Sequence, residues 1–203
     1  EKCDTWCYLS PVSWLSGGAT NCGTSNLDWF KRCAFEPGTS YADIEAGIKA
    51  GESTPVFLPF LYGERCPGWN DNRRGGFEDL LPSHDRWSMY RAVQEGVLFN
   101  IYQCFEALTR INGKPNKIRL SGGVLHSDSW SQMCADIFQQ DMEVDENEQA
   151  SLLGAVVLAK ERLGVIADIR RFDPPCSRVI YHDPQKAELY KSKYQRYMLY
   201  YNK

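Results

Sequence analysis

Long apolar runs are absent from this sequence. None approaches the roughly 20 residues of a membrane span, and Trp6 to Leu9 already reads as a strand, with no charged-then-apolar leader before it. Neither sign of charge is in excess: 23 basic and 26 acidic side chains give a formal net charge of −3 over 203 residues. The Lys and Arg are scattered rather than gathered into a stripe, which argues against nucleic acid or an anionic membrane as a partner. Histidine is scarce, and His84, His126 and His182 offer no metal-ligand spacing. The eight cysteines (Cys3, Cys7, Cys22, Cys33, Cys66, Cys104, Cys134 and Cys176) contain no Cys-x-x-Cys pair, and several fall in apolar segments. They read as free thiols of a reducing compartment, the cytoplasm, rather than as a disulfide scaffold. The alternative for Cys3 and Cys7 is a share in a metal site.

What is present is a globular composition, 43% hydrophobic and 13% aromatic. A chain of this length buries roughly 70% of the surface its unfolded form exposes, enough for a core without staples. The chain opens in mid-pattern at Glu1, which predicts further polypeptide upstream. Val12 to Leu15 is a second apolar stretch and runs into the small-residue loop Ser16 to Gly23. Ser25 is a candidate N-cap for a helix to about Cys33, and Tyr41 to Ala50 predicts a second short helix closed by Gly51. Val56 to Leu61 predicts a buried strand despite Pro55 and Pro59. From Asp85 to Ile111, apolar residues at three- and four-residue steps (Met89, Ala92, Val93, Val97, Ile101, Cys104, Leu108) predict one long helix that Gly113 and Pro115 stop.

Strands at Lys117 to Leu120 and Met142 to Val144 then alternate with helices at Trp130 to Phe138, Gln149 to Leu163 and Pro184 to Tyr200. The class is therefore α/β, a mixed sheet with flanking helices. Ser127 or Asp128 starts the first of these helices, or Ser129-x-x-Gln132 forms a capping box one residue later. Tyr190, Tyr194, Tyr197, Tyr200 and Tyr201 lie at near-helical spacing and predict a face that docks on the domain's own surface.

The sharpest local chemistry is strand, Gly122-Gly123, short turn, helix. Two adjacent glycines either let a base or ribose lie against the main chain, beside the open N–H groups of a helix start, or merely close a tight turn. The loop from Gly63 to Gly76 is long for a compact domain, as functional loops are. Its Glu64, Arg65 and Arg74 either reach a cleft or tie the loop down. Glu95 and Asp136 read as paired helix residues, and Trp69 and Trp130 as core or loop anchors.

Four segments in order carry a family resemblance: Phe60 to Asn70 through Arg74-Gly75-Gly76-Phe77; Tyr90 to Val97; Ile118 to Gly123 through Trp130 to Asp136; and Glu148 to Ala155. Together they resemble the carboxyl-terminal domain of the FGGY carbohydrate kinases. Asn100-Ile101-Tyr102 and Ser127 to Phe138 look most like gluconokinases, with xylulokinases next. The resemblance implies a ribonuclease-H-like, actin-like ATPase domain that serves as the nucleotide side of an enzyme. That enzyme would transfer the γ-phosphoryl of ATP, with Mg2+, to a sugar or sugar acid; the alternative is a non-catalytic nucleotide-binding or interaction module of the same fold. It implies nucleotide-binding roles for Gly122 and Gly123, for Ser127, which stands where some relatives place Asn, and for the loop at Gly23 ahead of Trp29. Asp28 stands where some members carry Gln, and Asp79 where most carry Gly. The catalytic Asp, an Asp-x-Gly phosphate loop and the sugar pocket are expected on an amino-terminal domain outside this sequence, with no catalytic or metal-binding residue in this chain. A homodimer is an assembly that the resemblance allows.

Overall fold

The structure, a computed structural model, describes residues 4–10, 13–49, 51, 53–145 and 150–203. Strands β1 (Trp6–Leu9) and β2 (Trp14–Gly17) form an antiparallel ribbon. Helices α1 (Thr24–Ala34) and α2 (Tyr41–Ala46) follow, then the antiparallel pair β3 (Val56–Leu58) and β4 (Gly76–Glu78). The long helix α3 (Arg86–Asn112) leads to β5 (Ile118–Leu120), a 3-10 turn (Gly123–His126), α4 (Asp128–Phe138), β6 (Met142–Val144), α5 (Ala150–Arg162), β7 (Arg178–Ile180) and α6 (Ala187–Tyr201). In the three-stranded sheet β6 is central, parallel to β5 and antiparallel to β7. The α/β class read from the sequence is the one observed.

Helix α3 organises the core. Asp85 caps it by accepting from the Trp87 and Ser88 N–H groups at 3.0 and 2.9 Å, and Gly113, at φ 80°, receives the chain at its end. Its buried surface is wider than a single stripe: Gln94, Glu95, Asn100 and Gln103 are buried together with Val93, Val97 and Leu98, whereas Ile101 is exposed. The helix is covered on several sides, and the side-chain amides of Gln94 and Asn100 donate to Glu45 and Gln103. Gly96 lets it lie against β3, since a Cβ there would come within 2.3 Å of the Phe57 carbonyl oxygen. The aromatic helix α6 docks as its spacing predicts: Tyr190 and Tyr197 are buried, and the Tyr197 hydroxyl donates to Gln103 Oε1 at 3.0 Å.

Several local expectations are corrected. Helix α1 begins at Thr24 with Gly23, not Ser25, at the N-cap. Helix α2 ends at Ala46 with Gly47 as its C-cap, short of Gly51, because a helix interior disfavours glycine. Strand β3 stops before Pro59, which has no N–H for a ladder. Gln132 donates to Asp136 and to the Tyr181 carbonyl instead of closing a capping box with Ser129. Trp69 is no core anchor: it is 48% exposed, at φ 49°. The apolar stretch at Val12 begins outside the described residues, and so does the helix start at Gln149.

Candidate functional site

The turn after β5 and the start of α1 meet in space. Gly122 has φ 84°, a conformation that favours glycine, and a Cβ there would meet nothing within 4 Å. Gly123 opens the 3-10 turn, and a Cβ on it would stand 3.1 Å from Thr24 Cγ2. Thr24 directly follows Gly23, so the two glycine segments singled out in the sequence converge. Gly23 supplies no side-chain cap, a Cβ on it would also meet open space, and the first turn of α1 carries no acidic residue. The helix start thus keeps its positive end and its first N–H groups free of side-chain acceptors.

Ser127 sits apart in role. It is the N-cap of α4, and its hydroxyl accepts from the Trp130 N–H at 3.0 Å. Its Oγ lies 3.3 Å from Ser129 Oγ, and Ser129 donates to Glu45 Oε2 at 3.0 Å, which links α4 to α2. Glu45 Oε1 accepts from Gln94 on α3 at 3.3 Å.

Four residues that the motifs do not reveal belong to this neighbourhood: Thr24, Asn26, Glu45 and Ser129. Asn26 is fully buried in the first turn of α1, and neither atom of its side-chain amide has a partner. The signal was available, since Asn26 interrupts the buried face that Leu27 and Phe30 form. Glu45 and Ser129 are surface-type residues whose meeting depends on the tertiary fold. Asp28, set aside in the sequence, is exposed and accepts from the Tyr41 hydroxyl.

The remaining charged candidates hold the architecture. Glu64 is buried: its Oε1 accepts from the Gly68 N–H (3.1 Å) and the Tyr201 hydroxyl (2.6 Å), and Arg73 Nε stands 3.0 Å from Oε2. The loop is tied to α6 through Glu64 and through Arg73 Nη1, which donates to the Tyr201 carbonyl at 2.8 Å, while Arg74 bonds to nearby carbonyls and Arg65 is exposed. Glu95 accepts from Lys193 (2.6 Å) and Thr54 (2.9 Å). Asp136 accepts from the Asp183 N–H (2.9 Å), Gln132 and Lys186. Trp130 is a buried anchor, its indole donating to the Gln94 carbonyl at 3.2 Å.

Burial pushes the thiols of Cys22, Cys104 and Cys134 up to about 12. The described cysteines, from Cys7 to Cys176, are all unbridged; Cys3 lies outside the described residues. Among the described residues, no group of three or more His, Cys, Asp or Glu side chains is gathered to hold a metal, and no helix is long and apolar enough to cross a membrane.

The chain belongs to the FGGY family of carbohydrate kinases: the description of that family's C-terminal domain matches residues 5–160. Its fold is the actin-like ATPase fold of these kinases. The gluconokinase of Bacillus subtilis (strain 168) is 35% identical over an alignment of 180 residues that covers 82% of this chain and 35% of that protein. Among solved structures, the gluconate kinase of Lactobacillus acidophilus is 32% identical with a TM-score of 0.89, covering 98% of this chain and 42% of that one. A ligand-bound xylulose kinase of the same organism is 33% identical, with the same TM-score and coverage. The chain spans about a third of the length of the curated relatives it matches.

Proposed function

We propose that this chain is the nucleotide-side domain of a cytoplasmic carbohydrate kinase that transfers the γ-phosphoryl of ATP to a hydroxyl of a sugar or sugar acid, gluconate before xylulose. The observation that carries the reading is the convergence of Gly23, Gly122 and Gly123 at an uncapped helix start. Open main chain at Gly23 and Gly122 fits a flat adenosine laid against it, and the positive end of α1 fits an anionic ligand. The Ser127 oxygen caps α4, and its proton is turned to Ser129 Oγ at 3.3 Å, a long contact that a polar atom of that ligand can replace.

When bound, ATP with Mg2+ supplies the electrophilic phosphorus and the neutralising charge. This chain's part is to bind and orient. Its buried carboxylates Glu64, Glu95 and Asp136 are each engaged by internal donors, so none serves as the base that takes the acceptor's proton. That carboxylate and the sugar pocket belong to an amino-terminal domain, the chain's own partner.

Similarity to gluconate kinases supports gluconate. The 33% identity to the xylulose kinase keeps xylulose as the second reading. The test is turnover of ATP by the full-length polypeptide with gluconate, xylulose, ribulose and glycerol, beside the 203-residue chain alone. The expected result is gluconate-dependent ADP formation by the full-length protein and none by the chain. Turnover by the chain itself would overturn the division of labour, and an absence of turnover with every acceptor would overturn the kinase reading.

A further inference from the structure

Next to the glycine turn, sharing Glu45 and Ser129 with its surroundings but lined by neither the glycines nor Ser127, lies a pocket of about 350 Å3 between α2, α3, α4 and α6. That volume suits a small metabolite. Four cationic side chains line it, Lys49 after α2, Arg91 on α3, and Lys186 and Lys193 at the start and on the inner face of α6, against two carboxylates, Glu45 and Glu95.

The hydrogen-bond balance is uneven. Glu45 spends its oxygens on Gln94 and Ser129, and Glu95 spends its own on Thr54 and Lys193. Arg91, Lys186 and Lys193 keep donors in reserve. Lys193 uses two of its three N–H groups, on Glu95 and Thr54, and Lys186 uses one, on Asp136, which does not line the pocket. Arg91 gives one N–H to the Tyr190 hydroxyl and rests 3.5 Å from Glu95, leaving part of its fork unspent. Leu189 and Ile48 supply apolar wall, and Ser88 and Ser129 add hydroxyls.

The geometry points to a second ligand site in this pocket, distinct from the nucleotide turn, that takes a small phosphorylated polyol. Spare guanidinium and ammonium donors on α3 and at the start and inner face of α6 line one cavity and suit one anionic group. The hydroxyls and the apolar wall meet a carbon chain bearing OH groups. A neutral sugar leaves the spare donors of Arg91, Lys186 and Lys193 unused, and a bare phosphate leaves the walls unfilled.

The test titrates the 203-residue protein calorimetrically with glucose 6-phosphate, inorganic phosphate and glucose, with and without saturating ADP. The account expects one glucose 6-phosphate bound per chain, more tightly than inorganic phosphate, no binding of glucose, and no competition from ADP. Lys49→Glu reverses one charge, and Leu189→Trp fills the space from a position that is 51% exposed, where the core is not at stake. Each should weaken glucose 6-phosphate at least about tenfold, the equivalent of about 1.4 kcal/mol. Lys160→Glu, on the exposed face of α5, should leave it unchanged. The proposal is overturned if glucose 6-phosphate fails to bind, if glucose binds as well as its phosphate, if ADP displaces the probe, or if the pocket variants bind like Lys160→Glu. ADP binding, measured in the same experiment, reports on the nucleotide reading separately.

Discussion

The Tyr201 hydroxyl, in the last turn of α6, donates to Glu64 Oε1 at 2.6 Å and so closes the Gly-rich loop onto the end of the chain. Glu64 is 1% exposed and also faces Arg73 and the Gly68 N–H. Tyr201→Phe removes one hydrogen bond to a charged acceptor and should cost about 1.5–3 kcal/mol. Glu64→Ala strips all three partners at once and leaves Arg73 without its counter-charge, so it should cost about 3–5 kcal/mol. Urea denaturation read by tryptophan fluorescence checks the order. Equal, small losses would show that the loop is not held through this carboxylate.

Thiol reactivity should divide the cysteines by burial. Cys7, Cys33 and Cys176 are exposed, whereas Cys22, Cys66, Cys104 and Cys134 are buried. Burial also holds the Cys22, Cys104 and Cys134 thiols protonated far above neutral pH, and a thiol is a poor nucleophile. Brief iodoacetamide treatment at pH 8 followed by peptide mass spectrometry should modify the exposed three and spare the buried four until denaturant is added. Labelling of Cys134 at the rate of Cys176 would contradict this packing.

The same shifts make the protein sensitive to alkali. A thiol that ionises near 9 when unfolded and near 12 when folded binds its proton more tightly in the folded state. Its stabilising contribution is complete below pH 9 and is lost as pH rises from there towards 12. Tyr90, Tyr194 and Tyr201, raised chiefly by burial, act in the same direction. Urea midpoints should therefore fall steadily above pH 9. A midpoint that stays level to pH 11 would be inconsistent with these groups being buried and protonated.

Much of this was legible in the sequence where one segment decides its own structure. Helix α3 is readable because Asp85, the apolar steps and Gly113 all lie within it. Strands β4 and β7 were not legible: Gly76-Phe77-Glu78 and Arg178-Val179-Ile180 are three residues each, too short for periodicity, and exist because β3 and β6 offer edges. Gly23, Gly122 and Gly123 could each be singled out, but their convergence is a tertiary contact through Thr24. Glu45 escaped for the same reason, whereas Asn26 left a local mark as a polar residue on the face of Leu27 and Phe30.

Asp79 tests that boundary between local and tertiary control. Its φ of 59° lies in the left-handed region that favours glycine, and its carboxylate pairs with Arg196 at 2.8 Å. Asp79→Gly gains backbone ease and loses an ion pair that is partly exposed, so stability should change by less than about 1 kcal/mol. Asp79→Val loses the pair and forces a β-branched residue into the left-handed region, and its Tm should fall clearly further. Equal melting temperatures for the two variants would contradict the backbone argument.

The central claim is that the main chain around Gly23 and Gly122-Gly123 receives a nucleotide. Gly23→Val is the cleanest probe, because its φ of −90° is not left-handed and a Cβ there meets no atom within 4 Å, whereas a Cβ at Gly123 presses on Thr24 and one at Gly122 is strained. Calorimetric titration of ADP into both proteins, with circular dichroism to follow the fold, decides the matter. The account predicts one ADP per wild-type chain and binding at least about tenfold weaker in Gly23→Val at an unchanged melting temperature. Equal affinity in the two proteins would contradict it.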